Sequence, residues 1–297
     1  LTSSGSFTRI FFLILPTLMQ ITETAHETRQ WSASCRQRGY TLGFVPTMGA
    51  LHAGHISLIR AALQECDRVV ASIFVNPTQF NNAADLAKYP STLARDLAML
   101  REAGCHVAFV PAVAEIYPEP RKDTYNFGLL SSSLEGHFRP GHFDGVLTVV
   151  NILLRLVAPH RAYFGEKDFQ QLSLIRKMVD YEGLDVKIVA CPSVREPDGL
   201  AMSSRNMRLS PSERQHALLL SQGLELARTH RATHSPGAIV AMAGELFRQH
   251  GHLRLEYFAI VNPDTFEPLE RWDPETPAIA LAAAWAGEVR LIDNMRL

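Results

Sequence analysis

Cysteine is scarce in this chain and is nowhere paired in spacing: Cys35, Cys66, Cys105 and Cys191 stand far apart, with no CxxC. That excludes a disulfide framework and a thiolate metal knuckle. It points to scattered thiols in a reducing, cytoplasmic setting, with Cys66 and Cys105 placed like small core residues. Charge of either sign is not in excess, since 29 Lys and Arg face 30 Asp and Glu. The bulk charge therefore calls for neither nucleic acid nor an acidic membrane as partner. The apolar stretch IFFLILPTLM at Ile10 to Met19 is too short to span a bilayer and is broken by Pro16. Also missing are GxxxxGK[ST], GxGxxG and GxSxG. Without them, P-loop hydrolysis, dinucleotide redox chemistry and serine acyl transfer lose their usual signatures.

What is present is a chain of 297 residues, long enough for one large or two ordinary domains. Residues 1–19 read as an N-terminal extension, with Met19 opening the first domain: a short strand, then a polar helix over Thr24 to Arg38. A periodicity switch then repeats. Leu42–Val45, Val69–Val75, His106–Val110, Arg161–Phe164 and Asp185–Ala190 read as strands; Ile56–Cys66, Ser91–Ala103, Val146–Val157 and the segment after Phe169 read as helices. Strands alternating with helices predict an α/β fold, a Rossmann-like parallel sheet with flanking helices over 20–192. Composition changes near residue 192. Ser210, Pro211 and Glu213 signal a capped helix start, a second helix runs from Pro236 to Gly251, and three strands follow at Leu253–Val261, Ala278–Trp285 and Glu288–Ile292. Residues 193–297 thus read as a smaller C-terminal α+β domain. Residues 112–142 are irregular and Gly/Pro-rich, as a substrate rim, a subunit contact or a solvated loop would be.

Three polar clusters interrupt these elements. HAGH, His52 to His55, lies where a strand hands over to a helix; helix-start N–H groups, two imidazoles and Gly54 make an anion site suited to a polyphosphate. The same spacing fits two metal ligands, but no neighbouring Cys or His completes such a set. In GEKDFQQ, Gly165 to Gln171, Lys167 can neutralise phosphate oxygens, Asp168 can accept from a ribose hydroxyl, and Gln171 can bond a hydroxy acid. Near the domain junction, Met202 to Arg205 offer two hydroxyls, Ser203 and Ser204, and the fork donor of Arg205. Both the HAGH turn and the loop Asn76 to Phe80 fall at carboxyl ends of strands, where ligands of parallel sheets bind.

Longer motifs extend these clusters: PTMGALHAGH at Pro46 to His55, SIFVNPTQF at Ser72 to Phe80, LEGHFRPGHFDGVLTVV at Leu134 to Val150, FGEKDFQQL at Phe164 to Leu172, and VREPDGLAMSSRN at Val194 to Asn206. In this order the chain from Met19 to Leu297 resembles the pantothenate synthetase family, the pantoate–beta-alanine ligases, within the wider HxGH group of nucleotidyl-transferring enzymes. The resemblance implies ATP-dependent joining of (R)-pantoate and β-alanine through pantoyl adenylate, with Mg2+ on the phosphates and usually a homodimer. It assigns catalysis to His52, His55, Lys167, Ser203, Ser204 and Arg205. Pro46, Thr47, Met48, Gly49, Gly165, Asp168, Val194 and Met202 would join them around ATP, and Asn76, Gln79, Gln171 and Met48 would hold pantoate. The C-terminal domain would act as a lid.

The chain departs from the family pattern at Ile152, where lysine is common, and at Ser91, where YPR is usual. Arg155, one helical turn from Ile152, is a candidate to supply the missing charge. Two other readings fit the HxGH turn: another enzyme of that group acting on a phosphorylated acceptor, and an inactive nucleotide-binding homologue.

Overall fold

The computed structural model describes residues 18–297, so the reading of 1–19 as an extension falls almost wholly outside the described residues. Six strands form a parallel sheet: β1 (Gln20–Thr22), β2 (Leu42–Thr47), β3 (Arg68–Ile73), β4 (Val107–Phe109), β5 (Arg161–Gly165) and β6 (Lys187–Cys191), in spatial order β1-β4-β3-β2-β5-β6. The sheet is flanked by α1 (Ala25–Gln37), α2 (Ala53–Glu65), α4 (Leu93–Glu102), α8 (His142–Val157) and α9 (Phe169–Tyr181), with the one-turn helix α3 (Ala83–Ala87) between β3 and α4. The expected α/β core is what the chain adopts.

From β2 the chain builds outward to β3 and β4, then returns to lay β5 and β6 on the other side of β2. The direction of winding reverses between β2 and β5, which in open parallel sheets is where a crevice opens beyond the strand ends. The register shows the opening. β2 pairs with β3 along its whole length, Leu42 to Thr47, but with β5 only at Gly43 and Phe44. Pro46, which has no N–H to donate, lies past the end of that second pairing, so a proline sits in a central strand without a lost ladder bond.

Strand β2 alternates between two apolar layers. Phe44 joins the cluster under α8 and α9, and Val45 the cluster under α2 and α4. Helix α8 begins four residues before the expected Val146, at His142. The irregular stretch before it folds into α5 (Val113–Ile116), α6 (Leu129–Ser132) and α7 (Glu135–Phe138), each a single turn.

Beyond residue 192, α10 (Pro211–His230) and α11 (Pro236–His250) cover one face of an antiparallel sheet, β7 (Arg254–Val261), β8 (Ile279–Ala286) and β9 (Val289–Arg296). The expected capping box is present, with Ser210 and Glu213 bonding each other's backbone N–H. Every residue of the central strand β8 except Trp285 is buried. Ala280, Ala282, Ala284 and Ala286 pack under α10 and α11, while Ile279 and Leu281 turn the other way into the core of the large sheet. The smaller unit is therefore anchored on the larger one by apolar contact. No described helix is long and apolar enough to cross a membrane.

Candidate active site

The corner after β2 is built by an unusual backbone. Gly49 has φ +80° and Ala50 φ +50°, and the cost of Ala50 in the left-handed region is offset by a buried carboxylate. Asp96 of α4 accepts from Ala50 N–H (2.9 Å) and Leu51 N–H (2.8 Å), braced by Thr92 (3.0 Å). A side chain at Gly49 would come within 3.1 Å of Asp96 and Ile73. Asp96, in the first turn of α4, is 1% exposed, and its place as a first-turn acid gave no sign of this role. Gly49 itself does not line the cavity; it makes the turn.

His52 is the N-cap of α2, and its Nδ1 accepts from Gly54 N–H at 3.2 Å; His55 Nδ1 accepts from His52 N–H at 3.3 Å. With both Nδ1 atoms accepting, each neutral ring carries its proton on Nε2. The rings are 4.1 Å apart. Burial, then Lys167, pull His52 down to about 4 from 6.5; burial, then His52 and Lys167, pull His55 down to about 3. The pair thus offers two N–H donors rather than positive charge. Gly54 has a reason of its own, since a Cβ there would lie 2.9 Å from the His52 ring.

These rings open onto a cavity of about 230 Å3 whose wall includes Pro46, Thr47, Met48 and Gln79 on one side. Gly165, Gln171, Val194, Met202 and Ser204 also line it. Lys167, Asp168, Ser203 and Arg205 line both this cavity and a second one of about 480 Å3 that runs on between the two sheets. Residues from after β2, after β3, after β5 and from 193–205 therefore converge on one cleft, although they are far apart in sequence.

Three expected contacts have a different geometry. Asn76 is 1% exposed and does not line the cavity; its amide donates to Gln79 Oε1 (3.0 Å) and Gly145 O (3.1 Å), so it holds the Gln79 loop. Ser204 donates to Ala50 O at 3.0 Å, which ties the 203–208 turn to the HAGH corner. Arg155 donates to Asn151 (2.8 Å) and Glu182 (2.6 Å), and Ile152 packs against the apolar core. Arg155 is consequently no substitute for a charge in the cleft, which α8 faces with Val146 and Val150.

Other supporting residues were not legible as such. His142, buried, meets Gln79 O at 2.7 Å, and a Cβ on Gly145 would strike Thr78 O at 2.4 Å, so α8 can press on the Gln79 loop only through glycine. Asn294 of β9 donates to Glu166 O (2.9 Å) and Lys167 O (2.7 Å), fixing the turn that carries Lys167. Arg195 makes a two-pronged bond to buried Asp293, 2.7 and 2.9 Å, anchoring the start of the 193–208 segment. Their partners come from remote elements, which no local pattern announces.

Crevice, helix start, imidazole donors and flanking cations lie together at the switch point of an α/β sheet, the arrangement of an enzyme suited to a polyphosphate. The family described as Pantoate-beta-alanine ligase matches residues 20–296. A pantothenate synthetase of Porphyromonas gingivalis is 48% identical over 94% of this chain and 99% of its own length. One from Bacteroides fragilis is 46% identical with the same coverage. Among solved structures, pantothenate synthetase from Thermus thermophilus superposes with TM-score 0.87 and 43% identity over 93% of this chain and 99% of that one. The pantoate-beta-alanine ligase of Francisella tularensis, complexed with beta-gamma ATP and beta-alanine, superposes with TM-score 0.77 and 35% identity over 94% and 97%. The chain belongs to the pantoate–beta-alanine ligase family.

Proposed function

We infer that this protein condenses (R)-pantoate with β-alanine at this cleft, with ATP converted to AMP and pyrophosphate. The observation that carries the reading is the HAGH corner, whose two neutral rings are fixed by their own backbone so that Nε2–H remains available to phosphate. In the first step the pantoate carboxylate attacks the α-phosphorus and pyrophosphate leaves. In the second the β-alanine amine attacks the acyl carbon, AMP leaves, and the amine gives up a proton. Neither step demands a strong base; orientation and stabilisation of growing phosphate charge suffice.

In this reading His52 and His55 donate to phosphate oxygens at the α2 start, Lys167 and Arg205 supply positive charge, and Ser203 adds a hydroxyl. Gln79 and Gln171 hold pantoate, with Met48 against it, and Asp168 and Gly165 meet the nucleoside. Pro46, Thr47, Val194 and Met202 complete the nucleotide wall. Among the described residues no cluster of three or more His, Cys, Asp or Glu could cage a metal. That fits Mg2+ arriving on the phosphates, where it would neutralise charge, with Asp168 as a carboxylate within the cleft. Residues 20–192 would bind ATP and pantoate, while 193–297 close the cleft and keep water from the mixed anhydride. A cytoplasmic homodimer completes the proposal.

The test is pantoate-dependent ATP–pyrophosphate exchange by the purified protein, followed by AMP release on adding β-alanine. Both half-reactions should appear. Folded protein, supplied with magnesium, that performs neither would overturn the assignment.

A further inference from the structure

One wall of the cleft is formed by the segment after Gln79, and it carries a carboxylate that the reaction above does not use. Asp85, in α3, accepts from Arg205 Nη2 at 2.8 Å through one oxygen and from Arg208 Nη1 at 2.6 Å through the other. All three side chains are largely covered: Asp85 is 27% exposed, Arg205 24% and Arg208 16%. The same segment places Tyr89 with its ring 5.8 Å from the Arg205 guanidinium carbon. Lys88 reaches Glu288 in the β8–β9 turn at 2.6 Å. The segment thus bridges the turn carrying Arg205 and the C-terminal sheet.

A carboxylate beside a phosphate site is unfavourable by charge unless it is neutralised and does something in return. Here two arginines balance it, leaving the trio with one net positive charge. Arg205 lines both cavities, whereas Asp85 lines only the larger one and not the one holding His52 and His55. The carboxylate engages one terminal nitrogen of Arg205, which leaves further N–H groups of the fork for a ligand.

We propose that Asp85 is a positioning residue for the triphosphate: it holds the Arg205 guanidinium in place at the cleft, and Arg208 balances its charge. A long, free arginine loses rotamer freedom when it binds, and one already held loses less. The inference rests on the reading of the cleft as an ATP site.

The experiment is calorimetric binding of a non-hydrolysable ATP analogue, and separately of pantoate, to the full chain. Wild type, Asp85→Ala, Asp85→Glu, Arg205→Ala and the double variant D85A/R205A are compared. Asp85→Ala should weaken the analogue about five- to tenfold, within the roughly two- to twelvefold that ordering one long side chain costs, with pantoate affinity within about twofold. Asp85→Glu should recover most of the loss, and the double variant should bind no more weakly than Arg205→Ala alone. Unchanged or tighter analogue binding by Asp85→Ala overturns the proposal, as do fully additive losses in the double variant. An equal loss of pantoate affinity also overturns it, because Asp85 would then only maintain the fold of its segment. Wild type that binds the analogue but performs no exchange removes the reaction and leaves the binding comparison standing; wild type that binds no analogue removes both.

Discussion

At the start of α2, His52 and His55 are basic groups held neutral; at the seam between the two sheets, Glu135 and Arg290 are acidic and basic groups held ionised. Both places are substantially covered, so burial alone does not choose. At the first, burial lowers both rings most, the Lys167 cation pushes the same way, and His52 adds to the effect on His55. At the second, Arg290 forks onto Glu135 with two 2.7 Å bonds, Tyr257 adds a third at 2.7 Å, and Arg139 lies at 3.5 Å. Glu256 completes the arrangement, bonded to Arg290 Nε and to the indole of Trp285, both at 2.8 Å. Burial by itself would raise the Glu135 carboxyl, but Arg290 above all brings it to about 2. The lesson concerns division of labour. A site that must meet charge growing on a ligand keeps neutral donors with unused protons, while a seam that must keep one geometry uses opposite charges that satisfy each other.

The largest effect is expected at the seam. Glu135→Ala leaves Arg290 buried with half its partners gone and should destabilise the fold by about 3–5 kcal/mol, the usual cost of breaking one side of a buried pair. Denaturant unfolding measures it; a loss within experimental error would mean the seam is decorative. At the corner, His55→Ala should leave the fold intact, at a cost of about 1 kcal/mol for the lost cap bond to His52 N–H, but lower pantoate-dependent pyrophosphate exchange by roughly 100- to 1000-fold, the range for removing a donor to transition-state charge. Comparable rates in variant and wild type would remove the donor role.

Asp96→Ala should affect both stability and activity, since it strands two buried N–H groups beneath the HAGH turn. An expected loss of about 1–3 kcal/mol in stability should come with slower exchange, because His52 follows directly on that turn. A variant that loses stability and keeps its full exchange rate would show that the turn tolerates repositioning.

The smallest and most diagnostic effect is on pH dependence. His52, His55 and His142 titrate near 6.5 when unfolded, and burial takes them to about 4, about 3 and about 3 in the fold. Between those values the unfolded chain binds protons that the folded chain refuses, so stability falls as pH drops from 6.5 toward 4. Glu135 works in a lower window. Its carboxylate contributes stability above its ordinary 4.5, and that contribution is lost as pH falls through about 2. Glu135→Gln should therefore make the stability profile shallower between pH 4.5 and about 2, where the histidines still contribute down to about 3, and leave the slope from 6.5 to 4.5 intact; a change confined to the upper window would reverse the assignment.

The strand–helix alternation, the switch to an α+β ending and the polar clusters at His52, Lys167 and Ser203 were all legible, because periodicity and turn chemistry are local. Element ends were less so. Helix α8 starts at His142 because Gly141, at φ +78°, sets the chain into it, and an apolar stripe cannot announce such a turn. The roles of individual polar residues were the least legible. Asn76 looks like a ligand contact in a motif, yet it lies off the cavity and holds Gly145 O, while Ser204 lines the cavity and also ties its turn to Ala50 O. Arg155 stands one turn from Ile152 in sequence but points its charge at Glu182.

Helices on both sides of a parallel sheet, the change of architecture after residue 192 and the membership in a ligase family were readable from the chain alone, since they follow from periodicities and ordered motifs that need no third dimension. The neutrality of the two imidazoles, the turns that Asp96 and Asn294 hold under His52 and Lys167, and the place of Asp85 beside Arg205 came only with folding. Protonation and side-chain pairing depend on what lies within a few ångströms, and in a fold wound outward from β2 in both directions those neighbours come from segments far apart in sequence.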